Sequence, residues 1–395
     1  MKILMLSHEY PPVGGGGATA CRELAARFAR HGHEVTVITA GFEGLTGKEV
    51  TPDGATILRL PVRRRYADHC SFMEMLDYLL HAVKKAWERE RRAPSDACLC
   101  FFGIPAGPVA WYLKKAFALP YVVRFGGGDI PGFQDRFRLL YRLLQFPVRL
   151  VWKEASALAA NSEGLRKTAL NFCGKYPVVV IPNGVDTAVF TPGSRGGEPG
   201  TVRLLSVCRI VKRKGLQDVI RAMPSLEKAA GRPVRLTIVG DGPYRENLEQ
   251  LARETGVADR VVMAGICRRE EVPAFYRDAD IFCFPSYREG MPNTVLEAMA
   301  CGLPVVMREE CQGAWELVQG NGVLSKGDYG EALAAFMRLP AETWEKMGRI
   351  SRQRAEGFSW EITASRYERL LEEAAQEGTG CLKKQGMRSR FQKRE

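Results

Sequence analysis

The sequence predicts an α/β chain built of two doubly wound domains. Three observations carry that expectation. Short β-rich runs alternate with longer helical runs over the first half, a Gly/Pro/Ser stretch at residues 191–200 interrupts them, and the same alternation then restarts. A length of 395 residues suits two domains of ordinary size better than one.

Each element has a local reason. Residues 2–6, 34–39, 56–60, 97–102, 121–125, 157–161 and 178–182 are short apolar runs, several of them rich in β-branched residues, and read as strands. Residues 18–31, 72–91 and 107–118 carry helical periodicity, the first stopping at Gly32. Beyond the linker, strands are expected at 203–208, 235–239, 261–263, 281–284 and 304–307, with helices at 217–230, 245–254 and 294–300. A last helix over 360–375 follows the apparent end of the second domain. The expected boundaries are therefore 1–195 and 196–357, a helix at 358–376 able to pack back on either domain, the first among them, and a tail at 377–395.

Bulk properties exclude several classes. No apolar run reaches 18 residues, so no membrane-spanning helix is expected. The N-terminus lacks the basic and small-residue signals of a secretion leader. The eleven cysteines are scattered without a C-x-x-C pair, which fits a reduced, cytoplasmic chain, and neither they nor the five histidines form a metal pattern. The net charge of +12 is uneven. Residues 1–197 carry 26 bases and 17 acids, 198–382 carry 25 and 27, and 383–395 carry 6 and 1.

Three segments carry the chemistry. In the first, Phe284-Pro-Ser-Tyr-Arg-Glu-Gly-Met-Pro-Asn-Thr-Val-Leu-Glu-Ala-Met-Ala-Cys-Gly-Leu-Pro-Val-Val306, a strand runs through a loop holding Glu289 into a helix holding Glu297. The opening turn of such a helix offers backbone N–H groups to an anion. Thr294 and Glu297 also have the spacing of a capping box, so Glu297 has a purely structural reading beside the functional one. In the second segment, Arg209, Lys212, Arg213 and Lys214 follow the first strand of the second domain, where they are placed to meet a diphosphate or simply to be solvated. The third is the loop from Glu9 to Gly17, whose glycines permit close backbone approach. No acidic residue ends the second strand, which argues against NAD or FAD. Pro182-Asn-Gly-Val-Asp186, Ile238-Val-Gly-Asp-Gly-Pro243 and Arg124-Phe-Gly-Gly-Gly-Asp129 are further turns at strand ends, the last aiming Asp129 at the expected cleft.

Taken in order, these motifs resemble the family-4 retaining glycosyltransferases of the GT-B fold, over roughly residues 1–375. The resemblance implies two Rossmann-like domains facing a cleft, the first on the acceptor side and the second binding a nucleoside diphosphate sugar. It implies that Arg209 and Lys214 hold the donor diphosphate, that Glu289 meets the donor sugar, and that Glu297 meets the ribose. It places Met291, Pro292, Asn293, Thr294 and Val295 along sugar and phosphate, Gly265, Ile266 and Cys267 at the nucleobase, and Gly15, Gly16 and Gly17 near phosphate and acceptor. Glu316 matches a family glutamate. A first-domain histidine common in the family is missing from residues 100–107 and 124–129, and Asp129 is the expected partial substitute, with His8 read as structural.

The reaction so implied is transfer of a hexosyl group from a UDP- or GDP-sugar to an acceptor hydroxyl, with no cofactor and no metal; Asp278-Ala-Asp280 enters a buried strand and is not read as a metal motif. Alternatives are an epimerase of the same fold and a noncatalytic nucleotide-sugar binder. Nucleic acid as a partner is suggested only by pI, without a recognition motif. The near-neutral second domain leaves the basic excess to the first domain and tail. Residues 133–152 read equally as a core helix with a solvated basic face or as a basic amphipathic segment on an anionic membrane surface; with the run Arg63-Arg64-Arg65 and the tail bases, the second reading points to peripheral attachment at the inner face of the cell membrane and a lipid-linked or cell-envelope glycan acceptor.

Overall fold

The computed structural model describes the chain except residues 68–69, 134–137, 194–199 and 392–395; of 138–140 and 378–391 it describes the backbone alone. It divides into two compact units, Met1–Pro182 with Trp360–Glu395, and Asn183–Ser359.

The first unit runs β1 (Lys2–Leu6), α1 (Gly16–Arg30), β2 (Glu34–Ala40), β3 (Gly47–Val50), β4 (Thr56–Leu60), α2 (Phe72–Arg92), β5 (Ala97–Phe101), α3 (Ala106–Phe117), β6 (Tyr121–Arg124), α4 (Arg138–Glu154), β7 (Ala157–Ala160), α5 (Glu163–Phe172) and β8 (Val178–Val180). Its sheet has the order β3-β4-β2-β1-β5-β6-β7-β8. Every pairing is parallel except β3 with β4. Parallel strands are covered on both faces, and β1 shows it: Leu4 and Leu6 join one apolar core with α2 and α3, Ile3 and Met5 the opposite one with α1.

The second unit runs β9 (Val202–Val207), α6 (Leu216–Ala230), β10 (Val234–Val239), α7 (Arg245–Glu254), β11 (Val261–Gly265), α8 (Val272–Asp278), β12 (Ile281–Phe284), α9 (Asn293–Ala300), β13 (Val305–Arg308), α10 (Ala314–Leu317), β14 (Gly322–Ser325), α11 (Tyr329–Met337) and α12 (Ala341–Glu356). Its sheet is wholly parallel, in the order β11-β10-β9-β12-β13-β14. Strand order reverses between β1 and β5 in the first sheet and between β9 and β12 in the second. Loops at the carboxyl ends of such a pair diverge and leave a crevice.

The boundary differs from the expected one. The chain joins the second unit at Asn183, because residues 183–191 bond to that unit. The Val185 N–H donates to the Phe358 carbonyl at 2.7 Å, and the Arg277 guanidinium donates to the carbonyls of Val189 and Thr191. Most of the Gly/Pro stretch lies outside the described residues. The last helix, α13 (Trp360–Phe391), is longer than expected. Its stripe of Trp360, Ala364, Tyr367, Leu371 and Ala374 is buried in the first unit's core beside Leu24 and Phe28 of α1.

Candidate active site

The second unit gathers the charged motifs at one sheet edge. Arg209 and Lys214 follow β9 and Glu289 follows β12, the two strands of the switch point. Lys214 is followed by Gly215 at φ +72°, and a Cβ there would lie 2.1 Å from the Pro285 carbonyl oxygen. Only glycine lets the basic loop and the 285–292 loop approach this closely. Glu289 Oε1 accepts from Lys214 Nζ and from Arg213 Nη1, each at 2.7 Å. Burial works to raise the Glu289 pKa, but Lys214 and Arg213 outweigh it and hold the carboxyl below its ordinary value.

The start of α9 is fixed from two sides. Asn183 Nδ2 donates to the Met291 carbonyl at 3.1 Å and to Asn293 Oδ1 at 2.7 Å. The Gln312 N–H donates to the Glu289 carbonyl at 2.8 Å. One turn into α9, Glu297 Oε2 lies 2.8 Å from the hydroxyl of the buried Tyr276. The capping-box reading of Thr294 and Glu297 fails: α9 begins at Asn293, Pro292 occupies the cap position, and no side chain caps the helix.

Beneath this edge, Arg308 at the end of β13 donates to the carbonyls of Pro285 and Gly327, both at 2.9 Å, and to Asp218 Oδ2 at 2.6 Å. The Tyr287 hydroxyl bonds the same Asp218 oxygen at 2.6 Å, and the guanidinium lies 4.3 Å from the Tyr287 ring centre. A buried cation so satisfied is a fastener for the loop carrying Glu289.

In the first unit, Gly15 and Gly16 are exposed at the start of α1, and Gly15 has open space where a Cβ would stand. Gly17 and Gly126 both abut the ring of Phe102, which a Cβ at either would strike. Phe102 has φ +74°, a left-handed value for a bulky residue, at the switch point after β5. Its half-exposed ring sits 4.9 Å from that of His8. Burial, and secondarily Arg64, push His8 down to about 3, so it is neutral near pH 7.

Residues 195–354 match the family described as glycosyl transferases group 1, and residues 15–184 match the glycosyl transferase 4-like domain. A D-inositol 3-phosphate glycosyltransferase of Pseudarthrobacter chlorophenolicus is 32% identical over 388 residues, spanning 89% of this chain and 88% of that protein. The chain belongs to the group 1 glycosyl transferases. A GDP-mannose-dependent alpha-(1-6)-phosphatidylinositol monomannoside mannosyltransferase of Mycolicibacterium smegmatis is 38% identical over 328 residues, 77% of this chain and 79% of that one. Among solved structures, a sucrose-phosphate synthase from Thermosynechococcus elongatus matches with TM-score 0.80 at 21% identity, over 94% of this chain and 98% of that one. The fold is GT-B, as the motifs implied, and the chain is a glycosyltransferase.

The glycosyltransferase places its expected site residues unevenly. Arg209, Lys214, Glu289, Asn293, Thr294 and Glu297 are half-buried at the carboxyl edge of the second sheet. Met291, Pro292 and Val295 are buried. Gly265 ends β11 at φ +74°, Ile266 beyond it is 85% exposed, and Cys267 is half-buried. Asp129 does not aim at a cleft: it is buried, and its carboxylate accepts from the N–H groups of Gly103 (2.7 Å), Gly126 (2.9 Å) and Gly127 (2.8 Å). Asp278 and Asp280 pair with Arg203 at the opposite, amino edge of the sheet. Sequence reading missed Tyr276, Arg308, Asp218 and Phe102, whose roles come from contacts far along the chain.

Proposed function

We propose that the enzyme moves a hexosyl group from a UDP- or GDP-sugar to an acceptor hydroxyl, retaining anomeric configuration and using no metal. The observation that carries this reading is the meeting, at the second sheet's switch point, of a basic loop, the carboxylate it binds and the start of α9. Arg209, Lys214 and the first amides of α9 take the diphosphate. As the bond between the anomeric carbon and the β-phosphate oxygen breaks, charge grows on that phosphate, and these groups stabilise it. Losing one such donor slows turnover by on the order of 100-fold or more. The acceptor oxygen attacks from the leaving-group face, and the β-phosphate takes its proton.

Glu289 meets the sugar hydroxyls, and Glu297, oriented by Tyr276, meets the ribose. Gly265, Ile266 and Cys267 line the nucleobase. Gly15, Gly16 and Gly17 open the exposed start of α1 to the acceptor. Asp129 acts through the Gly103 and Gly126–Gly127 backbone it holds rather than by touching substrate. The mannosyltransferase relative names GDP-mannose and a phosphatidylinositol monomannoside, which supports a lipid-linked or cell-envelope glycan acceptor, met at the inner face of the cell membrane. The test incubates the protein with a panel of UDP- and GDP-sugars and membrane extract. One donor is expected to yield free nucleoside diphosphate and a labelled acceptor with the donor's anomeric configuration. No release from any donor would sink the reading, and release with inverted product would sink its stereochemistry.

A further inference from the structure

The first unit carries an apolar surface that its own core does not use. On α2, Phe72, Met73, Leu76 and Leu80 form one outward stripe, with Met73 69% and Leu80 61% exposed. On α4, Leu143 and Phe146 project further, 75% and 78% exposed. Between the two helices lies a crevice of about 170 Å³ with a wholly apolar lining, floored by Ile104, Pro105 and Pro108 at the start of α3. Its walls are Phe72 and Leu76 of α2 and the inward side of α4, Leu144, Pro147, Val148 and Val151, while Leu143 and Phe146 project away from it. Exposed apolar residues are ordinary when scattered; gathered in one place they mark a contact surface.

The charge on α4 says what kind of contact. Tyr141, Val148, Val151 and Trp152 bury one face of this helix. The outward face carries Arg142, Arg149 and Lys153, all exposed, and at helical spacing they surround Phe146. The acid on this helix, Glu154, is engaged by Lys114 and Lys115. Projecting apolar side chains set among bases are the composition of a helix lying in the headgroup region of an anionic bilayer. Among the described residues no helix is long and apolar enough to cross a membrane.

We infer that the outward face of α4 is the docking surface of this enzyme for an anionic lipid bilayer, with Phe146 and Leu143 entering the acyl boundary and Arg142, Arg149 and Lys153 meeting lipid phosphates. This deepens the membrane reading above and rests on it for the location of the acceptor. It also redraws the surface expected from sequence. Arg64 is not outward: its side chain is 1% exposed, and it donates to the carbonyls of His8, Tyr66 and Ala67. Arg63 and Arg65 remain exposed beside α2. Arg136, Lys393 and Arg394 lie outside the described residues, as do the side chains of Arg138, Lys383, Lys384, Arg388 and Arg390.

The test is flotation of the full chain with vesicles of phosphatidylcholine alone or with phosphatidylglycerol added, at low salt. Three full-length variants accompany it: Leu143→Ser with Phe146→Ser; Arg142→Gln with Arg149→Gln and Lys153→Gln; and the six tail bases changed to Gln. Circular dichroism checks that each folds, and UDP and GDP thermal shifts check that each keeps its nucleotide response. Anionic vesicles are expected to bind wild type at least tenfold better than neutral ones, and each α4 variant is expected to lose at least tenfold. The tail variant is expected to keep most of the binding. Wild type failing to float with anionic vesicles overturns the proposal, as do α4 variants that float like wild type or a tail variant that alone abolishes binding. Concentration-dependent self-association cured by the serine pair would assign the face to a second copy instead. Wild type that floats but shows no nucleotide response leaves the docking surface standing and removes the donor reading.

Discussion

Replacing Glu289 by glutamine separates the electrostatics of the donor edge from its folding. The carboxylate oxygen lies 2.7 Å from both Lys214 Nζ and Arg213 Nη1. Arg213 is 56% exposed, so solvent screens that pair and little is assigned to it. Lys214 is 13% exposed and Glu289 21%, so the second pair is mostly withdrawn from water. Removing one partner of a buried pair costs about 3–5 kcal/mol, and partial exposure selects the low end, about 3. In a unit of this size each kcal/mol moves the melting temperature by about 2–4 °C, so Glu289→Gln should melt about 6–12 °C lower. Nucleoside diphosphate then supplies the lost counter-charge, and its affinity should rise about tenfold, about 1.4 kcal/mol, while sugar transfer falls. A depressed carboxyl gives its stability above its unfolded value of 4.5 and loses it as pH falls through the folded value. The gap between wild type and variant should therefore narrow below pH 4.5. Scanning calorimetry from pH 7 to pH 3.5, with and without UDP and GDP, reads all three. A variant melting within 2 °C of wild type at pH 7, or binding nucleotide no better, refutes the reasoning.

Other perturbations follow from the same contacts. Gly215→Ala combines a left-handed φ with a Cβ inside the Pro285 carbonyl, so about 2 kcal/mol or more of stability should go, read as a lower denaturant midpoint at unchanged slope. Tyr276→Phe removes the hydroxyl on Glu297; a hydrogen bond to a charged group is worth about 1.5–3 kcal/mol, so the variant should melt about 3–12 °C lower, and with Glu297 no longer oriented its nucleotide affinity should drop about tenfold. Equal affinity would remove Tyr276 from the site. His31 bonds Glu368 at 2.6 Å and Glu361 at 3.1 Å, and these carboxylates, Glu368 foremost, raise its pKa against the opposing effect of desolvation. A raised histidine stabilises below its unfolded value of 6.5 and loses that contribution as pH rises through the folded value. Wild type should therefore exceed His31→Gln in melting temperature more at pH 6 than at pH 9, and a pH-independent gap would contradict a titrating clasp between α1 and α13.

The buried parallel strands were legible because they read as short apolar runs, and the donor loops because glycines, bases and carboxylates recur at strand ends in a fixed order; β3, exposed along its length, and the half-buried edge strand β14 gave no such run and were not expected. The functional reading of Glu297 needed the family resemblance, since Thr294 and Glu297 fit a cap equally well in one dimension; the alternative failed because Pro292 holds the cap position. Asp129 and Arg64 misled for a shared reason. A charged residue in a glycine loop or a basic run looks solvated, and only the fold shows that backbone amides or carbonyls enclose it. Arg308, Tyr276 and Asp218 left no local signal, because what each fastens lies 18 or more residues away in the chain. The α2 stripe was hidden differently: apolar residues lie on both faces of that helix, and periodicity does not say which face the sheet covers.

The most direct measurement on the donor edge is calorimetric titration of UDP and GDP into wild type, Arg209→Ala, Lys214→Ala and Glu297→Ala. Wild type is expected to bind at least one nucleotide, and each variant to bind it at least tenfold more weakly with its folding intact. A wild type that binds neither, or folded variants that bind as wild type does, would contradict the assignment of this edge to a nucleoside diphosphate sugar.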